Sequence, residues 1–284
     1  MSEPADAPTP FFLDGPSGAL FCHYLPPQGA APGEAALFVP PFAEEMNRAR
    51  PIMAAQARKL AACGLGVLLL DLFGTGDSAG DFGDASWAAW RADITAGLDW
   101  LESQGHGTCT LIGLRLGACL ALEAARAAPA VSRVVLWQPV LRGQVYLQQF
   151  LRIRVGSAMV KQDDAESGET VKGLRQRLTE GETLEVGGYA LNPGLAEAID
   201  GLTLIDLAAG LTAPLHWFEI SAQEPPALTP ASQAAQEKLA ASGLTLDTRA
   251  VLGEAFWAIE ETTPAPALVA ATTALWTTSP RSES

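Results

Sequence analysis

The segment Gly113-Leu114-Arg115-Leu116-Gly117 constrains this chain more than any other five residues. Its glycines stand two positions either side of a central residue, as in the G-x-S-x-G frame of a nucleophile elbow, but arginine holds the place of the serine. Thr110-Leu111-Ile112 before it reads as a buried strand, and 118–128 after it as an Ala/Leu-rich helix. Strand, sharp turn and helix are the context the frame requires. Glycine at both flanks permits a strained backbone and close packing of the helix on its neighbours. The frame therefore predicts a fold while leaving its chemistry open.

Strand-like segments, most of them short, continuously apolar and bounded by Gly or Pro, recur at 20–25, 36–40, 66–71, 108–112, 133–137, 215–220 and 244–251. Helical stretches at 51–62, 87–103, 118–128, 231–241 and 265–276 lie between them, with Pro51 suited to a first helical turn and Gly64 to the residues just past a helix end. Strands alternating with helices mean βαβ crossovers, hence an α/β fold with a doubly wound, mostly parallel sheet covered on both faces. Residues 140–210 break the rhythm with an amphipathic piece at 146–154, a charged stretch at 161–185, Gly187-Gly188-Tyr189 and Asn192-Pro193-Gly194. This reads as a cap inserted into a core formed by 11–139 and 211–277. The Pro- and Ser-containing ends, 1–10 and 278–284, are expected to be poorly ordered.

With 284 residues, 48% of them hydrophobic, the chain can bury a full core. A formal charge of -14 disfavours nucleic acid and anionic lipid surfaces as partners. Cys22, Cys63, Cys109 and Cys119 show no C-x-x-C spacing and no arrangement with histidines that suggests zinc, so mostly buried reduced thiols are expected, with neither metal nor cofactor. The first ten residues lack the basic start and apolar run of a secretory signal, and runs such as 65–70 are too short to cross a bilayer. A soluble cytoplasmic protein is the expectation.

Two further motifs stand in order along the chain. Asp71-Leu72-Phe73-Gly74-Thr75-Gly76-Asp77-Ser78 resembles the D-x-x-G-x-G-x-S turn that follows the fourth strand of many α/β-hydrolases. Val39-Pro40-Pro41-Phe42-Ala43-Glu44-Glu45-Met46-Asn47 occupies the loop that supplies one oxyanion-hole N–H in that superfamily, without the usual His-Gly signature. Together with the arginine elbow, these stretches resemble the exosortase A system-associated hydrolase 2 family of bacteria, over roughly residues 11–276. The resemblance implies an α/β-hydrolase fold with an inserted cap. It also implies a cytoplasmic setting near exopolysaccharide and protein-sorting genes, an ester or thioester ligand, and a homodimer or a sister hydrolase as partner.

The residues themselves do not supply the serine mechanism that the family name asserts. In this fold the catalytic order is Ser, acid, His, with the histidine after the last strand. Here that loop is Gly253-Glu254-Ala255-Phe256-Trp257, and His23, His106 and His216 map to strands or strand entrances. Glu224 is the best-placed carboxylate for the acid position. Cys119 should point into packing, and Ser78 and Asp77 on the neighbouring turn have no base to activate a hydroxyl. Arginine at a helix N-terminus instead favours capture of an anionic group, unless Glu44 or Glu45 neutralises it. Candidate ligand-binding residues are therefore Arg115, Leu116, Phe42, Ala43, Asn47, Phe73 and Trp257, the three aromatics lining an apolar pocket. The competing expectation is catalysis by Glu44, Glu45 or Asp77 activating water, and a third is a scaffold for a partner hydrolase.

Overall fold

The apolar strands assemble as their lack of alternation predicts, into a sheet buried on both faces. The computed structural model describes residues 9–29, 33–160, 169–259, 261 and 263–277. The eight-stranded sheet is built from β1 (Thr9–Gly15), β2 (Gly18–Leu25), β3 (Glu34–Val39), β4 (Gly66–Leu70), β5 (Thr108–Leu114), β6 (Val131–Trp137), β9 (Leu215–Ser221) and β10 (Leu246–Leu252). Their spatial order is β1-β2-β4-β3-β5-β6-β9-β10. From β4 through β10 every pairing is parallel, while β1 and β2 run antiparallel at one edge.

Successive strand residues point to opposite faces, and the two faces become two cores. Leu37, Leu111, Val134 and Trp217 join one, packed under α2 (Trp87–Ser103), α3 (Leu116–Ala127) and α8 (Pro230–Ala241). Phe38, Ile112, Val135 and Phe218 join the other, under α1 (Glu44–Ala62) and α9 (Pro266–Thr277). No helix among the described residues is long and apolar enough to cross a membrane.

Two expectations need correction. The first helix starts at Glu44, so Pro51 lies in its interior rather than its first turn. Proline cannot donate to the Asn47 carbonyl, a cost offset by burial of Met46, Ala49, Ile52 and Met53 on the sheet side. Thr9 and Pro10, assigned to a loose terminus, open β1, an edge strand on which proline is tolerated. The remainder of the termini, 1–8 and 278–284, lies outside the described residues, as does part of the charged stretch, 161–168.

Between β6 and β9, adjacent in the sheet, the chain leaves to form α4 (Gly143–Val160), α5 (Val171–Thr179), a hairpin of β7 (Leu184–Val186) and β8 (Tyr189–Leu191), α6 (Pro193–Asp200) and α7 (Leu204–Ala208). Gly187 and Gly188, both at positive φ, form the two-residue hairpin turn. Asn192 both caps α6 and donates through Nδ2 to the carbonyls of Gly83 (3.0 Å) and Ala85 (2.7 Å), tying this segment to the core.

Candidate functional site

The elbow is built as its glycines dictate. Arg115 sits at φ 56°, ψ -118° between β5 and α3, a region unfavourable for any residue with a Cβ. A Cβ on Gly113 would meet the Ala118 backbone (2.5 Å from its Cα), and one on Gly117 would collide with the Pro40 carbonyl oxygen. These contacts force α3 against both its own strand and the loop after β3. Ala43 (φ 54°) and Gln138 (φ 45°), the other non-glycine residues at positive φ among those described, follow β3 and β6. Three strained junctions thus line the carboxyl edge of the sheet.

The corner where the elbow meets the loop after β3 is filled. Phe42, Ala43 and Leu116 are buried, and together with Pro41, Trp90 and Leu120 they enclose a space of about 10 Å³. That is barely the volume of one water probe, so the interior of this corner is packed by its own side chains. Phe42 packs edge-on against Phe82, Trp90, Tyr146 and Phe150, with centroid separations of 4.9 to 6.2 Å among this aromatic cluster. The expectation that Phe42, Phe73 and Trp257 line an apolar ligand pocket is corrected accordingly. Phe42 plugs the corner, Phe73 packs beneath Gly80, and Trp257 stacks on Arg115 without reaching the cavity described below.

Arg115 turns away from that corner. Its Nε donates to Glu45 Oε1 (3.2 Å) and its Nη1 to the Gln138 carbonyl (3.3 Å), while the guanidinium carbon lies 5.5 Å from the Tyr146 ring centroid and 5.2 Å from that of Trp257. Glu45 Oε2 accepts from the Tyr146 hydroxyl (3.0 Å). Burial pushes the Glu45 carboxyl above its usual range, opposed by the Arg115 charge and the Tyr146 hydrogen bond. Burial also pushes the Tyr146 phenol well above its ordinary value, reinforced by the Glu45 charge. Of the two candidate counter-ions Glu45 is thus the partner. Glu44 instead bonds Asn47 and Tyr189 at the hairpin, and Asn47 is consumed in the same contact.

One face of the arginine remains open. Nη2 has no hydrogen-bond partner among the described residues, and Arg115 lines a cavity of about 590 Å³ bounded by α4, α7 and α8. From α4 and the turn before it come Arg142, Val145, Tyr146 and Gln149. These are spaced i, i+3, i+4, i+7, one helical stripe. Helix α8 contributes Ala231, Ala234, Ala235 and Lys238 at the same spacing, its alanines leaving the room. The lining carries three cations and no carboxylate, in a chain of net charge -14.

The remaining candidates lie elsewhere. Asp77 is exposed, and its N–H caps Asp71, which pairs with Arg50 at 2.7 Å; Ser78 Oγ donates to the Asp71 carbonyl and accepts from the Phe21 N–H. That motif is therefore a turn lock. Glu224 is exposed on the loop after β9 and does not line the cavity; the buried Glu219 of β9, also outside the lining, accepts from the N–H of Thr229 (2.8 Å), the residue that caps α8. Cys119 is fully buried, its thiol pushed up to about 12 by burial. His23 meets Phe21 edge-on, His106 bonds Tyr24, and His216 faces Asp247 on the neighbouring strand. No group of three or more metal-ligating side chains occurs among the described residues. Arg142, Gln138, Tyr146 and Lys238 were not identified from sequence as site residues. The stripe at 142, 145, 146 and 149 was the available signal, but nothing local says what faces it.

Comparison with known proteins agrees with this fold. A family model described as serine aminopeptidase, S33, matches residues 34–171. No curated protein matches the sequence. A ferulic acid complex of Est1E from Butyrivibrio proteoclasticus superposes with a TM-score of 0.62 at 13% identity, covering 94% of this chain and 96% of that one. An α/β serine hydrolase homologue from Coxiella burnetii gives 0.56 at 14% identity, covering 97% and 98%. A lidless α/β serine hydrolase from Xanthomonas campestris gives 0.54 at 17% identity, covering 90% and 88%. The chain has the α/β-hydrolase fold, with arginine at its elbow.

Proposed function

We infer that this chain works as a binding protein on an α/β-hydrolase scaffold, taking an anionic acyl or sugar-linked metabolite into the cavity beside Arg115. The observation that carries this reading is the cavity wall: three cations, no carboxylate and mostly aliphatic surface. An apolar cleft with a few convergent charged groups is the usual form of a small-ligand site. Arginine at the elbow also supplies no attacking atom, and no histidine lies among the residues of the cavity. We propose, from the resemblance to exosortase-associated proteins, that such a ligand belongs to bacterial exopolysaccharide or protein-sorting metabolism in the cytoplasm, with a second copy or a sister hydrolase as partner.

A second reading rests on Glu45, whose buried carboxyl is pushed upward and could serve as a base toward water. One experiment separates the two. Aryl esters and acyl thioesters are incubated with the wild type and Glu45→Gln, and thermal stability is followed with octanoate and octyl phosphate. The binding reading expects no turnover above buffer and a rise in Tm with the anions. Turnover that disappears in Glu45→Gln would overturn it.

A further inference from the structure

We propose that the anion bound here is a dianionic head group, a phosphomonoester, held by Arg142 and Lys238, whereas Arg115 donates only a hydrogen bond to a neutral oxygen of the same ligand. The proposal rests on the binding reading above and specifies its ligand. The charge of Arg115 is already met by Glu45, and two of its three nitrogens donate to protein oxygens. Its side chain is only 16% exposed, enclosed by the Tyr146 and Trp257 rings. What it offers a ligand is Nη2, a donor without surplus charge.

Arg142 and Lys238 differ in each respect. Both are exposed, both line the cavity, and neither has a carboxylate partner among the described residues. Their two charges are therefore uncompensated, which complements a phosphomonoester better than a carboxylate. The packing of their elements brings both to one trough. Arg142 pairs through its backbone with Thr203, at the start of α7, and α7 packs on α8, which carries Lys238. The inner end is fixed by a relay of bonds: Arg115 to the Gln138 carbonyl, the Ile220 N–H to Gln138 Oε1 (2.7 Å), and the Thr229 N–H to Glu219 in the same strand. From Ala231 to Lys238 the α8 wall spans roughly 10 Å at the helical rise, and Ala231, Ala234 and Ala235 keep it small and apolar. A ligand matching this trough has a dianionic head, an alkyl or acyl body between α4 and α8, and a carbonyl or ether oxygen within reach of Arg115.

Titration calorimetry with octyl phosphate, octanoate and octanol tests the division of labour. The wild type is expected to bind octyl phosphate about tenfold more tightly than octanoate, and the preference should shrink as salt is raised. Arg142→Gln/Lys238→Gln should abolish that preference and leave octanol affinity unchanged. Arg115→Met/Glu45→Gln, which removes the ion pair without changing net charge, should alter octyl phosphate affinity by less than about threefold. If that neutral pair swap instead removes anion binding and the Arg142/Lys238 variant retains it, the assignment of the head group is overturned while the binding reading stands. Equal affinity for octanoate and octyl phosphate would also overturn it. Failure of the wild type to bind any of the three probes would remove the binding reading itself.

Discussion

The elbow corner and the trough between α4 and α8 lie against the same arginine but are constructed in opposite ways. The corner is fixed by backbone: glycines with no room for a Cβ, three residues at positive φ, and an aromatic plug that leaves about 10 Å³. The trough is made by side chains, two helical stripes that leave about 590 Å³ between them, with uncompensated cations on both walls. A hydrolase-like frame can therefore persist for packing reasons while ligand space opens beside it. Variants should separate the regions, corner changes costing stability and trough changes costing affinity.

The largest effect is expected at Gly117. Gly117→Val drives a branched side chain into the Pro40 carbonyl, and denaturant unfolding should show a loss of more than about 4 kcal/mol, or no folded protein. Asp93 comes next. Its carboxyl accepts from the Phe73 N–H (2.8 Å) at the edge of the corner, its other oxygen has no partner, and burial pushes it up to about 6 from 3.8. A raised carboxyl pKa favours the protonated folded state. The contribution is thus fully present below pH 3.8 and lost as pH rises toward about 6. The difference in unfolding free energy between wild type and Asp93→Asn should change by up to about 3 kcal/mol across that window and stay flat above it.

Arg115→Ala should cost about 2 kcal/mol, because it leaves the Glu45 carboxylate without its counter-ion. Replacing both, as Arg115→Met/Glu45→Gln, should recover most of that loss, which a double-mutant cycle would read directly. At the bottom of the scale, Lys238→Ala on exposed α8 should move stability by less than about 0.5 kcal/mol while weakening anion binding in a titration. Should Lys238→Ala destabilise as much as Arg115→Ala, the contrast between the regions fails.

The corner was legible in the sequence and the trough was not, for a physical reason. Gly113, Arg115 and Gly117 act through local backbone geometry, and their spacing is preserved in the linear chain. The turn at Asp71–Ser78 was recognisable for the same reason, although its bonds show a lock on Arg50 and Phe21 rather than a rim of the site. The partner of Arg115 was narrowed to Glu44 or Glu45, and only helix phase decided for Glu45. That phase depends on α1 beginning at Glu44, where Pro51 had suggested a later start. Arg142 and Lys238 are separated by 95 intervening residues, and their common cavity follows from α7 packing on α8, a tertiary fact that no local pattern encodes. Aromatic residues misled in the other direction. Phe42 and Phe73 sit on loops at the carboxyl edge, as lining residues would, yet Phe42 faces inward and fills the corner while Phe73 packs beneath Gly80.

The most direct test is a crystal structure of the protein soaked with octyl phosphate near its dissociation constant. The account predicts density for the alkyl chain between α4 and α8, the phosphate against Arg142 and Lys238, and an unchanged Arg115–Glu45 pair. A chain seated instead at Phe42, Ala43 and Leu116, with the Arg115–Glu45 pair broken to receive the phosphate, would contradict it.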